Sequence, residues 1–145
     1  MGYIFLIKNP AGANQVFQTI APELKPNDRL LFALNDNLAD GTDVSWIWDG
    51  EFEKLQVQGS NLPAGKAGLK VICSGTRAYD LALRLKYAGF DYKSIIVEPN
   101  LQKALQEAQK GLNGHLFILP TYTAMLELQT ILTKSGIKKH YWQEQ

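Results

Sequence analysis

Short, largely apolar runs alternate with stretches of helical periodicity along this chain, and that alternation restricts its fold more than any other feature. The runs cover residues 3–7, 29–34, 69–73, 94–97 and 116–119. Each is too short for a stable helix and is rich in branched or aromatic side chains, as buried strands are. Because they lack polar alternation, both faces of each strand must be covered. Between them, residues 13–20, 76–88, 101–110 and 124–135 carry helical spacing. Asn100 and Gly111 bracket one of these helices, and Gly89 closes another. Thr76 reads as the N-cap of the second helix, and residues 137–142 read as an added edge strand. Residues 53–68, broken by Gly59, Pro63, Gly65 and Gly68, read as a loop or short helix. Strand and helix in strict alternation require crossover connections. The expectation is an α/β fold with a single open, mostly parallel sheet, helices on both faces, and one domain over 1–145.

Composition agrees and narrows the partners. At 145 residues with 46% hydrophobic content, the chain buries a core without staples. Fifteen basic residues against 14 acidic ones leave a formal charge of +1. Nothing in that balance attracts a polyanion, so nucleic acid is excluded as a first reading. Cys73, alone and inside an apolar run, reads as inert packing. Two distant histidines and no cysteine pair give no metal-ligand spacing. The first run has no basic leader and is far too short to span a bilayer, so the expectation is a cytoplasmic chain.

In open α/β sheets, ligands gather at the carboxyl ends of the strands. The loops there are residues 8–12, 35–43, 74–77, 98–100 and 120–123, all polar and rich in Gly or Pro. None carries Gly-x-Gly-x-x-Gly, a P-loop or a Gly-x-Ser-x-Gly elbow. Any catalysis therefore needs groups supplied from elsewhere. The second loop stands out, with Asp36, Asp40, Asp43 and Asp49 beside Trp46 and Trp48. Three readings stay open from the residues. The aspartates form turns and caps, with a short helix carrying the tryptophans into the core. They cluster around a divalent cation, although no matching ligand pattern is present. Or one of them is set out to orient another group. Asn9 and Asn14 read as ordinary turn residues, and Arg77 as a solvated cation or an anion contact.

The order and wording of these loops resemble a known family. Residues 34–49, Leu-Asn-Asp-Asn-Leu-Ala-Asp-Gly-Thr-Asp-Val-Ser-Trp-Ile-Trp-Asp, are similar to the signature of the MurT C-terminal domain. Lys8-Asn9-Pro10-Ala11-Gly12 with Asn14 is similar to its first loop. Ser74-Gly75-Thr76-Arg77-Ala78 with Leu83-Arg84-Leu85-Lys86 resembles its third, and residues 120–126 its last. The resemblance implies a domain like the third domain of Mur ligases, Rossmann-like in form. It implies part of an ATP- and Mg-dependent, glutamine-hydrolysing ligase that amidates the D-glutamate α-carboxylate of the lipid II stem peptide. The implied partner is GatD, a glutaminase with a cysteine nucleophile. Asp43 falls where the family places the third member of GatD's catalytic triad, and Lys8, Asn9 and Asn14 fall where a Mur-type third domain faces nucleotide. The alternative is a non-catalytic module that docks a partner or closes a nucleotide cleft. The N-terminal and central domains of such a ligase have no counterpart here. The expectation is an excised domain, inactive alone, with no metal site and no tightly bound cofactor of its own.

Overall fold

The apolar runs line up as parallel strands. The computed structural model describes residues 1–56 and 69–135 in full, and the backbone of 142–144. Its strands are β1 (Gly2–Ile4), β2 (Arg29–Ala33), β3 (Lys70–Ser74), β4 (Ile95–Val97) and β5 (Leu116–Pro120). A short sixth strand, β6 (Trp142–Glu144), adds to the β1 edge. The order across the sheet is β4-β3-β2-β5-β1-β6, and every pairing is parallel. The β1 ladder continues past its assigned end, since the Phe5 N–H donates to Ile118 O at 2.8 Å and that of Ile7 to Pro120 O at 3.0 Å.

Four helices cover the two faces: α1 (Pro10–Ile20), α2 (Ala78–Tyr87), α3 (Leu101–Gln109) and α4 (Tyr122–Ser135). Alternate strand residues feed two separate cores, as the period of 2 dictates. Leu30, Phe32, Val71 and Cys73 pack with Phe17 of α1 and Leu81 and Leu85 of α2. Leu31, Ile72 and Ile118 pack on the other face with Ala104 of α3 and Leu128 of α4. Cys73 is fully buried, and burial pushes its thiol up to about 12, so the inert reading stands.

Three expectations need correction. The first helix starts at Pro10, not residue 13. Asn9 accepts the Gly12 N–H at 2.8 Å, and proline's fixed φ suits the first helical position. Thr76 does not cap the second helix, whose N-cap is Arg77 with no side-chain capping bond. Of the two tryptophans expected to be carried into the core, only Trp46 packs against it, half-buried, while Ile47 takes the fully buried position and Trp48 is exposed. The loop expected over 53–68 is described only to residue 56, where it begins as a 3-10 turn, Phe52–Leu55. Of the edge strand expected at 137–142, residues 137–141 lie outside the described residues.

Candidate functional site

The strand order places a switch point between neighbouring β2 and β5. The chain leaves β2 toward the β4 edge and leaves β5 toward the β6 edge, so their outgoing loops part. A crevice at such a point is the usual ligand site of an open α/β sheet. Here polar groups of the chain itself cross it. The Asn35 N–H donates to Thr121 Oγ1 at 2.9 Å and its Nδ2 to Thr123 Oγ1 at 2.9 Å. Its Oδ1 accepts the Thr76 N–H at 3.0 Å, so one asparagine joins the exits of three strands. Gly75 lets this happen, since it has φ +93° and a Cβ there would collide with the Leu34 carbonyl.

The aspartates of this loop have different occupations. Asp36 accepts the Thr76 hydroxyl at 2.8 Å and Arg77 Nη1 at 3.2 Å, while Arg77 Nε reaches Asp80 at 2.7 Å. The Thr76 hydroxyl and then Arg77 hold the Asp36 carboxyl below its ordinary value. Asp80 in turn, followed by Asp36, raises the pKa of Arg77. Asp40 closes a capping box with Asn37, then reaches across the crevice. It accepts the Thr123 N–H at 2.7 Å and the Thr123 hydroxyl at 2.5 Å.

Asp43 is placed otherwise. Gly41, at φ +89°, turns the chain away from the crevice, and Asp43 follows on the exposed rim. Its Oδ1 accepts the Ser45 N–H at 2.9 Å. Hydrogen bonds from Ser45, side chain first and backbone second, hold its carboxyl below the ordinary carboxylate value, with Arg77's charge adding to the shift. The side chain is thus a fully ionised carboxylate at neutral pH, fixed locally and facing solvent.

The segment behind Asp43 is bolted to both helices of its face. Arg84 is buried on α2; its Nε donates to Ile47 O at 2.8 Å, and its Nη2 donates to Gly50 O at 2.8 Å and pairs with Glu53 at 2.6 Å. Its guanidinium lies 5.5 Å from the Trp48 ring and 5.3 Å from the Phe52 ring. Asn14 of α1 accepts the Glu51 N–H at 2.7 Å. Asn14 therefore supports the segment that follows Asp43, and Asn9 serves as a helix cap. Lys8, also on the β1–α1 connection, is exposed. Sequence reasoning missed Arg84 as a structural centre. Its signal was a cation at an apolar-face position between Leu81 and Leu85.

Fold and rim together define an open parallel α/β domain of the Mur-ligase C-terminal type. The family described as MurT ligase C-terminal matches residues 6–125, and the chain belongs to it. It is similar to the "lipid II isoglutaminyl synthase (glutamine-hydrolyzing) subunit MurT" of Streptococcus pneumoniae (strain ATCC BAA-255 / R6), 38% identical over 134 residues. That match covers 92% of this chain and 28% of the relative. The protein of the same name from Staphylococcus aureus (strain COL) is 38% identical over 132 residues, with 91% and 28% covered. The chain thus spans less than a third of the length of these curated relatives.

Proposed function

We propose that this domain works within a glutamine-hydrolysing lipid II isoglutaminyl synthase, where it docks the GatD glutaminase and lends Asp43 to that subunit's Cys–His pair. The observation that carries this reading is the exposed, ionised, locally fixed carboxylate of Asp43 on the strand rim. In glutamine hydrolysis a cysteine sulfur bonds to the amide carbon while a histidine takes the thiol proton. The carbon–nitrogen bond then breaks, the histidine returns the proton to the departing ammonia, and water cleaves the thioester. A carboxylate on the far ring nitrogen fixes the histidine tautomer and stabilises its cationic form. Supplying it from a second chain makes ammonia release depend on assembly, so ammonia forms only where the stem-peptide D-glutamate carboxylate awaits it. Lipid II would be reached from the cytoplasmic side; among the described residues no helix is long and apolar enough to cross a membrane.

ATP with Mg would activate that carboxylate, held chiefly by domains beyond the region of similarity. Of the three residues expected to face nucleotide, Asn9 and Asn14 use their side-chain oxygens within the chain. Lys8, exposed on the β1–α1 connection, fits a phosphate contact across an interdomain cleft. This domain alone would be inactive.

The test is Asp43→Asn in the assembled enzyme, with glutaminase turnover and partner affinity measured separately. Turnover should collapse while affinity is retained. Unimpaired turnover would refute the catalytic role, and weaker affinity with normal turnover at saturating partner would favour a purely docking loop.

A further inference from the structure

A carboxylate that orients another group must itself be held, because a misplacement of about 1 Å near the chemistry can cost about 10²-fold in rate. An exposed aspartate ordinarily turns about both of its side-chain torsions, and fixing them costs entropy. Asp43 is exposed and yet held. Its Oδ1 accepts the Ser45 N–H at 2.9 Å, and the Ser45 hydroxyl bonds to the same carboxylate. Two donors from one residue restrain both torsions at once.

Ser45 can serve this way because its backbone is fixed from both sides. Val44 before it and Ile47 after it are buried, and the Ile47 N–H donates to Val44 O at 3.1 Å, closing the 3-10 turn over Ser45. The Ile47 carbonyl in turn accepts Arg84 Nε at 2.8 Å, and Arg84 is buried on α2. The Ser45 N–H therefore moves with the core, although the residue itself is exposed. An ionised carboxylate offers about four lone-pair positions. Asp36 and Asp40 each have both oxygens taken by residues of the chain: Thr76 and Arg77 for one, Thr123 and the Asn37 N–H for the other. Among the described residues only Ser45 donates to Asp43, and the lone pairs it leaves unused face solvent.

We infer that Ser45 is the positioning residue for the borrowed carboxylate: its N–H and hydroxyl fix Asp43 so that the unused lone pairs meet the ring N–H of the glutaminase histidine. The inference rests on the catalytic reading of Asp43 given above and adds a second residue to it. Ser45 touches neither glutamine nor thiol, and it acts only through Asp43. The turn by itself has little use for the hydroxyl, since residue 45 is exposed and the turn closes through the backbone of Val44 and Ile47.

The test is steady-state glutamine hydrolysis by the natural full-length polypeptide assembled with its glutaminase subunit, comparing Ser45→Ala, Ser45→Thr and Asp43→Asn. Ser45→Ala should lower kcat about ten-fold, the loss typical when the partner that orients a ligand is removed from a metal site. The KM for glutamine and the Kd for the partner should stay as in the parent. Ser45→Thr keeps the hydroxyl and should return kcat to the parent's value. The melting temperature of Ser45→Ala should fall by less than about 2 °C, as for other exposed substitutions. A kcat like the parent's for Ser45→Ala, in an enzyme that Asp43→Asn does inactivate, would overturn the positioning role and leave the catalytic aspartate standing. Full turnover in Asp43→Asn would remove the reading underneath, and this one with it, whatever Ser45→Ala does. Equal loss in Ser45→Ala and Ser45→Thr would show that the hydroxyl is not what matters and would overturn it too. So would a rise in KM or Kd with kcat kept, which marks a docking contact, or a large fall in melting temperature, which marks a structural cap.

Discussion

The first and second halves of the loop after β2 use the same residue types for different ends. In the first half, Asp36 bonds to Thr76 and Arg77 after β3, and Asp40 reaches Thr123 across the crevice between β2 and β5, all residues 40 or more positions away. In the second half, Asp43 bonds only two residues ahead and leaves its charge at the surface. An acidic loop is therefore not one functional unit. Its first carboxylates build the platform, and its last stands on it.

Four substitutions would break or sharpen that contrast. The largest effect belongs to Asp43→Asn, which in the assembled enzyme should lower glutamine hydrolysis by about 10⁴-fold, the loss seen when a triad's orienting aspartate is amidated in a serine protease. Its melting temperature should move by less than about 2 °C, since the group is exposed. Equal turnover for variant and parent would erase the distinction between the two halves. Arg84→Met comes next. It leaves the Ile47 and Gly50 carbonyls without their donor and should cost about 3 kcal/mol, read as a lower urea midpoint. A midpoint like the parent's would show that the platform does not depend on this cation.

Asp40→Ala should cost about 1–2 kcal/mol by removing the capping box and both Thr123 bonds. Turnover at saturating partner should persist, which is what separates Asp40 from Asp43. The smallest effect is in the acid limb of stability. Asp36, Asp43 and Asp80 all have folded pKa values below the ordinary 3.8. Each contributes stability above its unfolded value, and the contribution disappears as pH falls through the lower folded value. Asp36→Asn should therefore lower stability at neutral pH slightly and flatten its decline below about pH 4, followed by circular dichroism. An acid limb as steep as the parent's would show that the Asp36–Arg77 pair does not bear on folding.

Much of the architecture was legible because its signals are local. The buried strands announced themselves as unbroken apolar runs, and Asn100 and Gly111 bracketed α3 as their backbone preferences require. Failures occurred where the deciding partner is distant in sequence. Asn9-Pro10 is equally good as a turn or as a cap with its first helical residue, and only packing of Ala13 and Phe17 selects the helix. Thr76 has the chemistry of a cap, yet its hydroxyl is taken by Asp36. The tryptophans looked like core residues by type, but the 3-10 turn puts Ile47 inward and leaves Trp48 over Arg84. The position of Asp43 came from resemblance to a family, since spacing alone did not separate it from Asp36 and Asp40.

The Arg84 staple has a kinetic consequence. Because it pins the 47–53 stretch to α2 in the free chain, a subunit docking beside Asp43 as proposed would meet a surface already in its final shape. No ordering entropy has to be surrendered on contact, so encounter and release should follow rigid-body behaviour, with an on-rate about 10⁵–10⁷ M⁻¹s⁻¹. Loosening that one guanidinium would convert a collision between finished shapes into folding upon arrival, and the on-rate would fall first.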